Sequence, residues 1–318
     1  MRTQFKPRHT ATYNCLEDVL ECIATGFKRE HIMIYKDAWD FNFFQKSLGD
    51  NKIIGNRVES GEYNAWNSLA QYHGVRSKCH FTSKRDKQMQ VLITELEKKS
   101  PVVLWLDGYY VPWTNVFEKL HMKHFIVAVD IDQEKEIIHV VDPYWNKRVN
   151  ELSFDFFHLS QAKCITFTLE DQPEILWKQV VSERVKAILD REYTAFDAMR
   201  DFARETRDNL VIADEIRGFE TLKYNCPLLM QLAEVFYKRL NYSNILLFLG
   251  KHNEVDLLIA AAEKIKEAGE RWREYREVLV HVVEGKEDES KIKVFADKVM
   301  ALADFEETVA KSLWEVSQ

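Results

Sequence analysis

Glycine and proline are scarce in this chain of 318 residues, with 10 and 6 copies. So few of either argues against a loop-rich β-protein and against a glycine-lined phosphate cradle. No run approaches the ~20 apolar residues that a membrane span needs. The opening residues, MRTQFKPRHTATYNC, contain no apolar core of the kind that directs secretion, so a cytoplasmic protein that binds no membrane is expected. A basic excess is missing as well. Lys plus Arg number 44 against 51 Asp plus Glu, a formal charge of −7, which leaves no footprint for nucleic acid. Cysteine is limited to Cys15, Cys22, Cys79, Cys164 and Cys226, an odd number without CxxC spacing. That fits neither a disulfide framework nor a zinc site. His9, His73, His80, His121 and His139 have no metal-ligand spacing either, and no metal or cofactor is expected.

What the chain does contain is a globular balance of 46 % hydrophobic and 30 % charged residues, whose character changes near residue 170. Before that point helical and extended patterns alternate. Leu16, Val19, Leu20 and Ile23 recur at helical spacing up to Gly26, and helices are also expected over 64–73 and 86–99. Short β-branched runs at Val102–Leu106, Phe125–Ile131, Ile137–Val141 and Cys164–Leu169 read as strands. After residue 170 the periodicity is helical, with segments at 173–190, 193–209, 227–240, 254–283 and 290–317. The expected architecture is an α+β domain with an antiparallel sheet over residues 1–170, followed by an all-α domain over 171–318.

One cysteine stands apart. In Tyr13-Asn14-Cys15-Leu16-Glu17, Asn14 is a good N-cap and Glu17 follows three residues later, a capping-box pattern. Cys15 then opens a helix, where unpaired amides and the positive end of the macrodipole favour the thiolate, which is the reactive form.

A histidine and an aspartate complete the pattern. His124 stands at the mouth of an apolar strand, and Asp142-Pro143 ends the next one. If Ile131 pairs with Lys135 across a hairpin, residue 124 falls opposite residue 142, and Asp142 orients the imidazole. Nucleophile, base and orienting carboxylate are what acyl transfer through a covalent intermediate requires. Between the first strand and His124 runs Gly108-Tyr109-Tyr110-Val111-Pro112-Trp113-Thr114-Asn115, which either lines an acyl pocket or covers the sheet edge. Asn14, Tyr110 and Trp113 are the substrate-binding candidates.

A cysteine opening the first helix, a distant histidine at a strand start and Asp-Pro ending the following strand resemble the papain-like cysteine peptidases, above all their bacteriocin-processing branch. The whole chain is similar to the butirosin-biosynthesis protein H family. That likeness extends to Leu246-Leu247-Phe248-Leu249, Ala260-Ala261-Ala262, Trp272 with Leu279, and Asp304-Phe305-Glu306. The resemblance implies a papain-like fold with a helical C-terminal domain, and an acyltransferase in the assembly of peptide-like antibiotics. It would move an acyl or aminoacyl group from a carrier-protein thioester to a small-molecule or peptide amine. Cys15 would be the nucleophile, His124 the base and Asp142 the orienting acid. Bacteriocin-processing enzymes carry a glutamine shortly before the cysteine as oxyanion donor. Position 9 here is histidine, Gln4 lies further off, and the Cys15 amide is a donor that needs no side chain.

The basic run Arg76, Lys78, Lys84, Arg85 and Lys87 is the candidate docking surface for an acidic carrier protein. The long terminal helices suit an acceptor site or a homodimer interface. Two other readings use the same residues: a peptidase, amidase or thioester hydrolase with water as acceptor, and a non-catalytic scaffold.

Overall fold

Asn14 starts the first helix as the capping pattern requires. A computed structural model describes residues 4–44, 53–61, 64–82 and 84–318, and α1 spans Cys15–Gly26. Asn14 Oδ1 accepts from the Leu16 and Glu17 amides at 3.0 and 3.1 Å, while Glu17 Oε2 accepts from the Asn14 amide at 2.8 Å. Val19, Leu20 and Ile23 are fully buried along one stripe. Gly26 serves space rather than backbone freedom: a Cβ there would collide with the Phe5 ring, and it is Lys28 that takes the left-handed conformation (φ 58°).

The chain forms two compact units, residues Met1–Ile34 with Ala65–Glu174, and residues Tyr35–Asn64 with Ile175–Gln318. The expected division near 170 cuts the chain only once, whereas the second unit takes in Ile175–Gln318 and also Tyr35–Asn64. That segment carries the two-stranded antiparallel ribbon of β1 (Asn42–Phe43) and β2 (Val58–Glu59). Its aromatic residues explain the membership. Trp39 lies 5.4 Å from the Tyr242 ring, and Phe41 stacks on Trp272 at 5.7 Å.

In the first unit α2 (Ala65–His73) is followed by β3 (Val75–Cys79), α3 (Arg85–Glu97), β4 (Val102–Asp107), β5 (Lys123–Asp132) and β6 (Ile137–Val141). Then come β7 (Val149–Ser153), α4 (Phe154–Leu159) and β8 (Lys163–Leu169). Six strands pair antiparallel in the order β3-β8-β4-β5-β6-β7. Leu104, Leu106, Ile126, Val140 and Cys164 project to one face and form a core with Leu92 and Leu96 of α3 and Phe157 of α4. Phe125 and Phe167, of opposite parity, meet Trp66 of α2. The two strands of this sheet that sequence patterning omitted, β3 (VRSKC) and β7 (VNELS), are its two edges. Edge strands carry exposed polar side chains, so their alternation reads as loop.

The β5–β6 hairpin differs from the expected register. Ile131 pairs with Ile138, not Lys135, because the turn is longer, with the Asp132 carboxylate accepting from the Lys135 amide at 3.1 Å and Glu136 left-handed (φ 55°). Continued unbroken, that register would pair odd with even positions and put His124 and Asp142 on opposite faces. A bulge between Ala128 and Asp130 absorbs one residue, and beyond it Ala128 pairs with Val140 and Val127 with Val141. Extending this places Ile126 opposite Asp142. His124 is therefore the diagonal neighbour of Asp142 on the same face, within reach of a long side chain.

The second unit is built from α5 (Trp177–Leu189), α6 (Ala195–Asn209), α7 (Ile212–Glu215), α8 (Pro227–His252), α9 (Asp256–Val283) and α10 (Lys291–Ser317). The fold is thus α+β with a helical C-terminal part. Among the described residues, no helix is long and apolar enough to cross a membrane.

Candidate active site

Cys15 sits half-buried at the first position of α1, where its own amide has no intrahelical carbonyl to bond. His124 lies at the start of β5, opposite Leu106 of β4, and is buried. Its Nε2 stands 2.8 Å from Oδ2 of the fully buried Asp142. With Nε2 engaged, Nδ1 is the ring atom left for Cys15, with which His124 is hydrogen-bonded. Burial by itself would lower the His124 pKa, but its hydrogen bonds and charge interactions with Asp142 and Cys15 raise it to about 9. The site therefore favours an imidazolium beside the sulfur at neutral pH.

Burial pushes Cys22 and Cys164 up to about 12 and raises Cys79 and Cys226, which keeps all four protonated.

Trp113 joins this group through a contact that sequence reading did not foresee. Its Nε1 donates to Asp142 Oδ2 at 2.7 Å, on the same oxygen that holds His124, and the Trp145 amide reaches Oδ1 at 3.4 Å. The Trp113 indole N–H thus faces the carboxylate. Asn14, the second substrate-binding candidate, has its side-chain oxygen occupied as the helix cap. The third, Tyr110, contacts Tyr109 at 5.0 Å and His121 at 6.3 Å edge-on. Gln4 is exposed.

A cavity of about 450 Å³ lies in the same unit, lined by Phe81, Trp105, Met122, Lys123 and Lys163 among others. None of Cys15, His124 and Asp142 is among the residues that line it. Of the basic run, Arg76 is already matched by Glu170, 2.5 and 2.9 Å away, while Arg85 and Lys87 crowd the N-terminal turn of α3.

A thiol, an imidazole and a carboxylate in this arrangement can serve chemically as nucleophile, base and orienting acid. Residues 23–143 match the family described as Butirosin biosynthesis protein H, N-terminal. The match takes in His124 and Asp142 and begins after Cys15. Comparison with curated proteins finds no match.

Proposed function

We propose that the protein is a thiol-dependent acyltransferase of antibiotic-type natural-product assembly, with Cys15 as nucleophile, His124 as base and Asp142 as its orienting acid. What supports this reading is the hydrogen-bonded chain from Cys15 through His124 to Asp142, together with a family described by its part in butirosin biosynthesis.

In the proposed reaction the Cys15 thiolate attacks the carbonyl carbon of a thioester. A sulfur–carbon bond forms while the carbonyl electron pair moves to oxygen. Collapse breaks the bond to the leaving thiolate, which takes the His124 proton. A neutral amine then attacks the acyl-enzyme and gives its proton to His124, and the Cys15 thiolate departs. Imidazolium and thiolate are thereby restored. Asp142 keeps Nε2 directed toward itself, so Nδ1 stays available to the sulfur. The donor is a carrier-protein thioester, and Lys78, Lys84, Arg85 and Lys87 are its docking residues. Cations in the first turn of α3 oppose the helix dipole, so they are not there for the helix.

An N-acetylcysteamine thioester with and without a primary amine tests this. The intact protein acylates Cys15, seen as a mass adduct, and yields amide when amine is present. Cys15→Ala gives no adduct, and His124→Ala slows its formation by about 10²–10⁴-fold. An adduct on Cys15→Ala at the normal rate would overturn the mechanism. Free acid as the main product despite amine would make the protein a hydrolase.

A further inference from the structure

α1 carries a second imidazole–carboxylate pair that the proposed reaction does not use. Asp18 lies one turn beyond Cys15, and residues three apart share a helix face, with side chains tilted toward the N-terminus. Asp18 is fully buried, and its Oδ2 stands 2.7 Å from Nδ1 of His9 while Oδ1 accepts from the Thr10 amide at 3.1 Å. On its other side the His9 ring meets Tyr144 edge-on at 5.3 Å, two residues beyond Asp142. The imidazole is thus held between the start of the nucleophile's helix and the segment that follows the orienting acid. Its side chain keeps 38 % exposure, and Nε2 lies across the ring from the nitrogen that meets Asp18.

We propose that His9 is a catalytic residue whose Nε2–H donates to the carbonyl oxygen of the acyl group as Cys15 attacks. The inference rests on the Cys15 acylation described above. The oxygen gains a full negative charge in that step, and a single donor, the Cys15 amide, leaves it half-solvated. Donation requires the pair to hold two protons, as imidazolium beside carboxylate or as Nε2–H imidazole beside a carboxylic acid. Burial pushes the Asp18 carboxyl up to about 6, with the hydrogen bond from His9 and the Thr10 amide drawing it back. The buried Glu21 carboxylate nearby raises Asp18 further. His9 makes and breaks no bond to carbon, and its proton returns with the collapse of the intermediate.

Two rates measured on the same variants test this. Acylation by the N-acetylcysteamine thioester creates an oxyanion, whereas alkylation of Cys15 by iodoacetamide does not. His9→Ala and His9→Phe, the second retaining a ring against Tyr144, are expected to slow acylation by about 10²–10³-fold and leave alkylation unchanged. His9→Gln, which keeps a side-chain donor, is expected to recover acylation to within roughly tenfold. Unchanged acylation in His9→Phe overturns the proposal. So does a parallel fall in alkylation, which would place His9's effect on the thiol, and so does a glutamine variant as slow as phenylalanine. Loss of the adduct in Cys15→Ala is independent of all these outcomes, so failure here leaves the Cys15 reading standing.

Discussion

His124 holds a proton at neutral pH because two partners outweigh its burial. Its ordinary pKa is near 6.5, and the folded value is about 9. A raised value means the folded state binds the proton more tightly. The stability this contributes is fully present below the unfolded pKa and is lost as pH rises through the folded one. The penalty of His124→Ala, measured by urea denaturation against the intact protein, is therefore expected to be largest below pH 6.5 and to shrink up to and beyond pH 9. A penalty that grows over that range would contradict the assignment. At this scale the cysteine, histidine and aspartate were legible because each sits beside a local signal: a cap, a strand mouth, a strand-ending proline. Trp113 on Asp142 and His9 on Asp18 carried no such signal. Those contacts join segments that share no periodicity, so only the folded chain reveals them.

At the scale of elements, the capping box was readable since it is written within four residues, and it positions Cys15. Asn14→Ala removes the acceptor for the Leu16 and Glu17 amides and is expected to cost about 1 kcal/mol of stability. Asn14→Asp, which keeps the acceptor, should remain near wild type in thermal unfolding. Equal loss in both variants would show that the cap oxygen contributes nothing. The hairpin was harder to read. Its strands were evident from β-branched runs, but the register depended on a longer turn and on a bulge that restores parity. Neither is encoded by alternation. The site survived the error because a shift of two positions keeps every side chain on its face, as a shift of one would not.

The whole molecule was legible as α+β followed by helices, whereas the place of Tyr35–Asn64 was not, because its ties are to residues far along the chain. Trp39 Nε1 donates to Glu306 Oε2 at 2.7 Å, and Trp272 Nε1 donates to Glu306 Oε1 at 2.9 Å. Arg239 reaches the same carboxylate at 3.1 and 3.3 Å and donates to the Asp40 carbonyl at 2.6 Å. Arg239 and Glu306 are both fully buried. A buried pair contributes little over a well-packed apolar substitute, yet removing one partner leaves a desolvated charge. Glu306→Leu is expected to destabilise the protein by about 3–5 kcal/mol, because it strands the Arg239 guanidinium and leaves two indole N–H groups without an acceptor. Pairing it with Arg239→Leu removes the stranded charge, so the double variant should be more stable than Glu306→Leu despite carrying one more substitution. Chemical denaturation of the four proteins in the cycle reads this directly. If the two losses simply add, the carboxylate and guanidinium act independently, and the attachment of Tyr35–Asn64 must rest on its aromatic packing instead.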